Sequence, residues 1–340
     1  MKRTKLKQGS LAWEKARATR IGSSEIYDIV RYYASDDELQ NCGINAEAMR
    51  EELPFTTTWA LYHKIKNDGL YRHEALEPEY AEYGHAVEPY GVKCLQKGRS
   101  KKLKPGEVYV SERLIASLDV SGIAEEIDMV PFNFGEGMPI AGQRFVCEQK
   151  SMTPQAYRQG IPFKYIMQAQ YQITMTGADF YILQVIVLRE DSPFIRGKIC
   201  QMSRKKRYEY LDKNADIRLI YFRNNPHLAQ LIKVCIERFM EDVKKDREPT
   251  PFIECDSKRN IIESIRLNTG YRDGRTVTFD LGLYAQLKEA EAAISRRKAA
   301  EMQRIIEAAK ANNAVMFASD GMSAKFSKDG KFLFKQVEVE

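Results

Sequence analysis

The stretch of residues 144–150, with the sequence RFVCEQK, constrains the fold of this 340-residue chain more than any other feature. In an extended strand successive side chains point to opposite faces. Two sets therefore form: Phe145, Cys147 and Gln149 on one face, and Val146, Glu148 and Lys150 on the other. A carboxylate and an ammonium on the same face, opposite an aspartate on a neighbouring strand, form a compact site for a divalent metal ion and a water molecule.

The candidate aspartate is Asp119, which ends the apolar run of residues 114–118. Mg²⁺ prefers oxygen ligands and takes one or two carboxylates from a protein, which leaves positions for water and phosphate oxygens. Asp119 and Glu148 can supply those carboxylates, while Lys150 can orient a water molecule and offset phosphate charge. Glu126 and Asp128 are alternatives to Asp119. The alternative to a metal site is a purely structural role, in which Asp119 ends a strand in a turn and Glu148 and Lys150 form a surface pair.

Further patterns accompany this core in a fixed order along the chain. A glycine, Gly84, lies four residues before Glu88, and residues 167–171 read MQAQY. Near the beginning of the chain, Trp13 is followed by Arg17 and then by a Ser-Glu pair at Ser24. Together these patterns resemble the PD-(D/E)xK nuclease superfamily, in particular the lambda-type exonucleases and YqaJ-like viral recombinases. The chain departs from the family's Ser-Pro-Asp-Gly context, since residues 117–120 read SLDV.

The resemblance implies roles for individual side chains. Glu88 would complete the metal site, Gln149 would contribute a carbonyl, Gln168 would support Lys150, and Arg17 with Ser24 would bind a 5′ phosphate. Free backbone N–H groups at the start of a helix also favour phosphate binding, and a guanidinium adds a charge-assisted pair. The expected cofactor is Mg²⁺, with two ions bound and Mn²⁺ able to substitute.

The reaction implied by the resemblance is hydrolysis of duplex DNA from a 5′ end, which leaves 3′ single-stranded overhangs for phage-type homologous recombination. Expected partners are double-stranded DNA, a single-strand annealing protein and further copies of the chain in a homotrimer. A site-specific or structure-specific endonuclease with the same core is one alternative. A non-enzymatic DNA-binding or coiled-coil scaffold is another, from a different class of protein.

Composition limits the setting of this chemistry. A net charge of +6 and a pI near 8.8 permit a polyanionic partner without demanding one. The six cysteines show no C-x-x-C spacing, which favours reduced thiols and argues against a zinc ribbon. No apolar run approaches the length of about 20 residues that spans a bilayer. We therefore expect a cytoplasmic protein of a bacterium or phage-infected cell.

The hydrophobic pattern predicts an α/β fold, with a mixed central sheet flanked by helices as in restriction endonucleases. The predicted organisation is a nuclease domain over residues 1–250, a linker over 251–280, and a C-terminal module over 281–340. The module is predicted to hold a long helix followed by a small antiparallel β unit, and an interaction or oligomerisation role is the expectation.

Several local predictions can be compared with a structure. Residues 34–56 are expected to form an insertion or loop, residues 126–131 a strand, and the stretch containing Tyr210 and Ile217 a helix. Ser23 or Ser24 is predicted to cap a helix. The basic runs at residues 97–104 and 203–207 are candidates for contacts with a phosphate backbone, although most such runs are simply solvated.

Overall fold

The computed structural model describes residues 2–54, 56–66, 78–252, 255–256, 261–262, 281–312, 316–319, 322–326 and 332–336. The chain divides into two compact units, Met1–Thr269 and Gly270–Glu340. Most of the predicted linker over residues 251–280 lies outside the described residues. The Asp-Gly pairs at residues 320–321 and 329–330, which suit turns of the predicted β unit, also lie outside them.

Helices surround the sheets of the first unit. They are α1 (Leu11–Ala18), α2 (Ile26–Tyr33), α3 (Asp36–Asn41), α4 (Ala46–Glu51), α5 (Thr58–Lys66), α6 (Pro78–Gln96), α7 (Pro154–Arg158), α8 (Phe163–Thr176), α9 (Pro193–Gln201), α10 (Arg204–Asn214) and α11 (Pro226–Lys244). The α7 helix begins with Pro154 after the Thr153 cap, whose hydroxyl accepts a hydrogen bond from the Ala156 N–H at 3.0 Å. Proline suits this first position, because the N–H it lacks has no partner within a helix.

The strands of the first unit form two sheets. They are β1 (Lys2–Thr4), β2 (Ile21–Gly22), β3 (Lys104–Pro105), β4 (Val108–Val110), β5 (Leu114–Ser117), β6 (Val120–Ile123), β7 (Arg144–Met152), β8 (Phe180–Leu188) and β9 (Ala215–Arg223). One sheet has the order β1-β4-β5-β2 and the other has the order β3-β6-β7-β8-β9. In the larger sheet β7 and β8 are parallel, and the other neighbours are antiparallel. The predicted α/β class with mixed sheets is confirmed.

The β8 strand lies in the interior of the larger sheet. All nine of its residues are buried, as the apolar sequence FYILQVIVL predicts for a strand covered on both faces. A parallel partner requires a crossover connection, which the segment containing α7 and α8 supplies between β7 and β8. On one face Leu183 packs in the same core as Met167 of α8, and on the other Ile182 packs in the same core as Leu95 of α6.

Residues 34–56, which we expected to form a loop, instead contain the short helices α3 and α4. Ser35 and Glu38 cap α3 reciprocally, because the Glu38 N–H donates to the Ser35 hydroxyl and the Ser35 N–H donates to the Glu38 carboxylate. Leu39 and Met49 are fully buried. Two helices of six residues each are too short to show a helical period in sequence.

Two other predicted elements are also wrong. The stretch after α10 is the strand β9, which pairs with β8 along nine residues and is not helical. The segment predicted as a strand at residues 126–131 contains a single 3-10 turn, Glu126–Asp128, and the strand that pairs with β7 is β6. The predicted serine cap is absent as well, since Ser23–Glu25 is a 3-10 turn and α2 follows it without a side-chain cap.

The second unit contains the helix α12 (Gly282–Asn312) and the strands β10 (Met316–Ser319), β11 (Met322–Phe326) and β12 (Phe332–Gln336). The three strands form an antiparallel sheet in sequence order, so the predicted C-terminal helix and small sheet are confirmed. Apolar side chains of α12, including Leu283, Leu287 and Ile294, are between 59% and 69% exposed. The interaction role of this unit stays a prediction.

Among the described residues, none of the helices combines the length and apolar character needed to cross a membrane.

A buried ion pair lies at the 3-10 turn that replaces the predicted strand over residues 126–131. The Asp128 carboxylate is fully buried and accepts hydrogen bonds from both terminal nitrogens of Arg99, with 2.6 Å between Nη1 and Oδ2. The Tyr221 hydroxyl also donates to Asp128 Oδ1 at 3.4 Å. Asp128 is therefore committed to Arg99, and the neighbouring Glu126 is exposed. Neither residue replaces Asp119 as a candidate metal ligand.

Replacing Asp128 with asparagine should lower the free energy of unfolding by about 3–5 kcal/mol, because it leaves the Arg99 charge buried without its counterion. Urea denaturation followed by circular dichroism measures this change. The matched control is Glu126→Gln in the same turn, which should shift stability by no more than about 0.5 kcal/mol. A loss below about 1 kcal/mol for Asp128→Asn would contradict the interpretation.

Asp28 is a second buried carboxyl group, on the inner face of α2. It is 2% exposed. Burial raises the pKa of Asp28 well above its usual value near 3.8, and the nearby Glu25 carboxylate raises it further. The Thr56 backbone and Lys164 oppose this shift without cancelling it. The folded chain therefore holds the Asp28 proton more tightly than the unfolded chain does.

This proton makes the stability contribution of Asp28 depend on pH. Because the folded-state pKa is raised, the contribution is complete below the unfolded value and is lost as pH rises through the folded value. Asp28→Asn does not titrate, so its stability relative to the native chain should increase as pH rises above about 4. Urea unfolding across this range measures the difference. The exposed Asp37→Asn control should show no such trend, and a flat difference for Asp28→Asn would refute the assignment.

Candidate active site

The antiparallel pairing of β6 with β7 places Asp119 beside Glu148. Val120 is opposite Cys147 in the register, and Asp119 comes immediately before Val120 in the turn that follows β5. Its Oδ2 atom accepts a hydrogen bond from the Gln149 main-chain N–H at 2.7 Å. Asp119 is thus tethered to the backbone of the strand that carries Glu148.

Glu148 and Lys150 lie on the same face of β7, as the alternation predicted. Lys150 Nζ donates to Glu148 Oε1 at 2.8 Å, and the two side chains are 23% and 10% exposed respectively. The ammonium also lies 5.5 Å from the centre of the Tyr165 ring. Burial lowers the pKa of Lys150, but the carboxylates of Glu148 and Asp119 outweigh it and raise the pKa overall. In this structure the Lys150 ammonium is a hydrogen-bond donor to Glu148.

The surroundings of the Asp119 carboxyl group disfavour its charged form. Burial raises the pKa of Asp119 well above its usual range, the Glu148 charge raises it further, and Lys150 opposes both effects. Glu88, on α6, contributes a smaller repulsion. Carboxyl groups that repel one another in a poorly hydrated space are the groups that a bound cation stabilises.

Glu88 approaches the site from α6 but remains 36% exposed. Burial raises the pKa of Glu88, His85 lowers it, and the charge of Glu148 raises it. In the described part of the chain, no group of three His, Cys, Asp or Glu side chains is arranged to hold a metal ion. Asp119 and Glu148 are the carboxylates that could hold Mg²⁺, an ion that requires only one or two carboxylates and keeps several water ligands.

The Gln149 side chain points away from these carboxylates, toward α6. In the amide orientation that pairs both of its atoms, the nitrogen donates to the Glu88 carbonyl at 2.8 Å and the oxygen accepts from the Val92 N–H at 3.2 Å. A Cβ at Gly91 would lie 2.2 Å from the end of the Gln149 amide, so glycine permits this close approach. The main-chain N–H of Gln149 points toward Asp119, and the carbonyl of the same strand residue faces the same side.

Gln172 is a buried site residue that the sequence analysis did not identify. Its Nε2 atom lies 3.0 Å from Glu148 Oε2 and 3.2 Å from the Ser117 carbonyl. The predicted Gln168, one turn earlier on α8, is also buried, and its Oε1 atom has no hydrogen-bond partner among the described residues. The i, i+4 spacing on a helix was the available signal, because it places Gln168 and Gln172 on one face.

The predicted phosphate-binding residues share a cavity with the Glu148–Lys150 pair. This cavity has a volume of about 200 Å³, and its lining includes Trp13, Arg17, Ser24, Glu148, Lys150 and Gln168. Arg17 Nη2 donates to the Ser24 hydroxyl at 3.4 Å, and the guanidinium lies 5.2 Å from the centre of the Trp13 ring. The Trp13 indole N–H donates to the Ser117 hydroxyl at 2.7 Å. Residues far apart in sequence thus meet around one space.

Larger cavities of about 880 and 820 Å³ occur elsewhere in the first unit. None of the residues predicted for the site lines either of them. Size alone would therefore direct attention away from the carboxylates, whereas the charged groups and their mutual distances identify the smaller cavity as the candidate site.

The two basic runs are partly structural. Arg99 forms a buried ion pair with Asp128. The Arg207 guanidinium donates to four main-chain carbonyls, including that of Ala86 at 2.8 Å. Its contacts join α6 to the end of α9. The exposed neighbours Lys101 and Lys205 keep the predicted capacity for phosphate contacts, but Arg99 and Arg207 do not.

Comparisons with known proteins give structural likenesses only. A phage-related exonuclease from Haemophilus somnus 129PT shares 12% identity and a TM-score of 0.42, over 68% of this chain and 97% of that chain. An alkaline exonuclease from Laribacter hongkongensis shares 12% identity and a TM-score of 0.42, over 76% and 100% of the two chains. Its complex with dAMP shares 13% identity and the same score, over 70% and 95%.

No family model and no curated protein matches the chain. The structural likenesses are too low to assign a function, which is therefore inferred from the side chains of the site.

Proposed function

We propose that this protein is a Mg²⁺-dependent deoxyribonuclease that degrades one strand of duplex DNA from its 5′ end. The observation that supports this most is the shared cavity of about 200 Å³, which joins the Glu148–Lys150 pair to the Arg17–Ser24 pair. A carboxylate–lysine pair suits phosphodiester hydrolysis, and a guanidinium beside a hydroxyl suits a terminal phosphate. One cavity then binds the end of a strand and cleaves near it.

The metal would be held by Asp119 and Glu148, with the Gln149 main-chain carbonyl as a further oxygen ligand and Glu88 at the margin. When bound, Mg²⁺ supplies a water of lowered pKa and neutralises charge at phosphorus. Two ions, and Mn²⁺ in place of Mg²⁺, belong to the same proposal.

The protonated Lys150 donates hydrogen bonds to the attacking water or to a phosphate oxygen, and it offsets the charge that builds up during displacement. Gln168 lines the same cavity with an unpaired oxygen, which can accept a hydrogen bond from that water. Arg17 holds the 5′ phosphate by charge-assisted hydrogen bonds, and Ser24 adds its hydroxyl. These contacts fix the strand end relative to Glu148 and raise the effective concentration of the reacting groups.

The wider biological role follows the resemblance described above. We propose that digestion leaves 3′ single-stranded overhangs for homologous recombination, in the cytoplasm of a bacterium or phage-infected cell. A homotrimer around DNA and a single-strand annealing protein as partner complete this proposal.

A digestion assay with three forms of one duplex tests the function directly. Linear DNA with a 5′ phosphate, linear DNA with a 5′ hydroxyl and covalently closed circular DNA are each incubated with and without Mg²⁺. We expect Mg²⁺-dependent loss of the phosphorylated linear form and no cutting of the circle. Cleavage of the circle would instead identify an endonuclease, and absence of any digestion would favour a non-enzymatic DNA-binding protein.

Replacing Lys150 with alanine should reduce digestion by about 10²-fold or more, because the developing charge loses its donor. DNA binding, measured by fluorescence anisotropy in EDTA, should stay largely intact. Lys233→Ala on α11 is the control, since this exposed lysine lies outside the cavity. Thermal melting of both variants verifies that they fold. Normal digestion by Lys150→Ala would remove the proposed role.

Replacing Arg17 with alanine should slow digestion of the 5′-phosphorylated duplex about 10- to 100-fold, the effect expected for one charge-assisted hydrogen bond. The rate on the 5′-hydroxyl duplex should change much less, so the two substrates become similar. Lys15→Ala is the matched control, because it removes an exposed charge from the same helix. Retention of the phosphate preference by Arg17→Ala would show that the end is recognised elsewhere.

A further inference from the structure

The Gln172 amide connects the two halves of the cavity. Besides Glu148 and the Ser117 carbonyl, its Nε2 atom lies 3.3 Å from the hydroxyl oxygen of Ser23. Ser117 ends the strand that leads into Asp119, and Ser23 opens the turn that contains Ser24. One side chain thus contacts the catalytic carboxylate, the approach to Asp119 and the phosphate-binding turn.

The orientation of this amide follows from its neighbours. A carboxylate and a carbonyl can only accept hydrogen bonds, so the NH₂ group must face them. The opposite orientation would place Gln172 Oε1 against the Glu148 carboxylate. Gln172 is fully buried, and its Oε1 atom has no partner among the described residues. In this orientation Gln172 Oε1 stays without a partner in the described part of the chain, while the two Nε2 hydrogens are shared among the Glu148 carboxylate, the Ser117 carbonyl and the Ser23 hydroxyl.

The Glu148 carboxylate is consequently held at both oxygens. Lys150 donates to Oε1 at 2.8 Å and Gln172 donates to Oε2 at 3.0 Å. Bonds that fix a ligand from a second layer control its orientation, and their loss commonly lowers activity 10- to 100-fold. Here one of the two bonds comes from a residue that also contacts Ser23.

The turn at the other end of Gln172 is firmly anchored. Ser23 is 8% exposed, and Glu25 Oε2 accepts a hydrogen bond from the Gly22 N–H at 2.7 Å. Lys64 Nζ donates to the other oxygen of Glu25 at 2.6 Å. A phosphate bound in the cavity, which Ser23 also lines, would accept the Ser23 hydroxyl hydrogen and so change how the Gln172 hydrogens are shared.

We propose that Gln172 is a positioning residue that couples occupancy of the 5′-phosphate pocket to the orientation of Glu148. This coupling rests on the proposed nuclease function and adds an effect of the 5′ phosphate on the reaction rate. A 5′ phosphate then accelerates the chemical step as well as strengthening binding.

Steady-state kinetics on 5′-phosphorylated and 5′-hydroxyl duplexes test the coupling. The native protein should show a higher kcat on the phosphorylated duplex. Gln172→Met is nearly isosteric and should lower that kcat about 10- to 100-fold. Its KM should change little, and the kcat ratio between the two substrates should approach one. Ser23→Ala keeps the hydrogen bond from Gln172 to Glu148. It should therefore lower the kcat ratio between the two substrates, and its kcat on the 5′-hydroxyl duplex should fall less than that of Gln172→Met.

Gln170→Met provides the matched control on the same helix. The Gln170 amide is also buried, but it bonds to Asn224 at 2.7 Å and to the Asn225 N–H at 2.8 Å, outside the cavity. This variant should keep the native kcat ratio. An equal loss of kcat on both substrates in Gln172→Met would overturn the coupling and leave Gln172 only the role of positioning Glu148. Native kcat values for this variant would overturn both the coupling and the positioning role.

A second measurement does not depend on digestion. In ¹⁵N-labelled protein the Gln172 side-chain amide signals are assigned by their loss in Gln172→Met. In EDTA, a short 5′-phosphorylated duplex should shift these signals, the 5′-hydroxyl duplex should not, and Ser23→Ala should reduce the shift. No shift would overturn the coupling even for an active nuclease. A shift in a protein that never digests DNA would support the coupling and reject the nuclease proposal.

Discussion

The structure depends on the pairing of β6 with β7, because this pairing forces two carboxylates into proximity. Val120 opposite Cys147 leaves Asp119 no position other than beside Glu148. The repulsion that results is opposed by Lys150 and by hydrogen bonds from main-chain and side-chain amides. Burial of the sheet under helices on both faces supplies the stability that tolerates this cost. A site with so much unbalanced negative charge is suited to a cation.

Two strands of the larger sheet, β7 and β8, could be predicted because their patterns are local. The alternation in residues 144–150 and the continuous apolar run of β8 each specify a strand without reference to distant residues. Long helices such as α11 have a clear period and a proline at the first turn. Strand geometry alone also placed Glu148 and Lys150 on one face, whereas their roles in the candidate site stay a prediction.

The missed features depend on contacts that sequence spacing does not reveal. The β9 strand begins directly after α10 and forms its hydrogen bonds with β8. The predicted helix therefore extended beyond Asn214, where α10 ends. Arg99 and Arg207 look like surface charges, yet each folds back onto partners far away along the chain. Gln172 acquires meaning only when Ser23, Ser117 and Glu148 converge on its amide. Tertiary contact decides such cases, and propensity does not.

The inward-facing arginines have a consequence for the proposed binding of DNA. Lysine and arginine together number 53, but guanidinium groups such as Arg99 and Arg207 are already saturated by internal acceptors. Only cations that face solvent displace the counterion atmosphere of a nucleic acid, and only those contribute to the salt dependence of its affinity. Ionic strength should therefore weaken association less steeply than the sequence composition suggests, and geometry rather than total charge should govern where a strand settles.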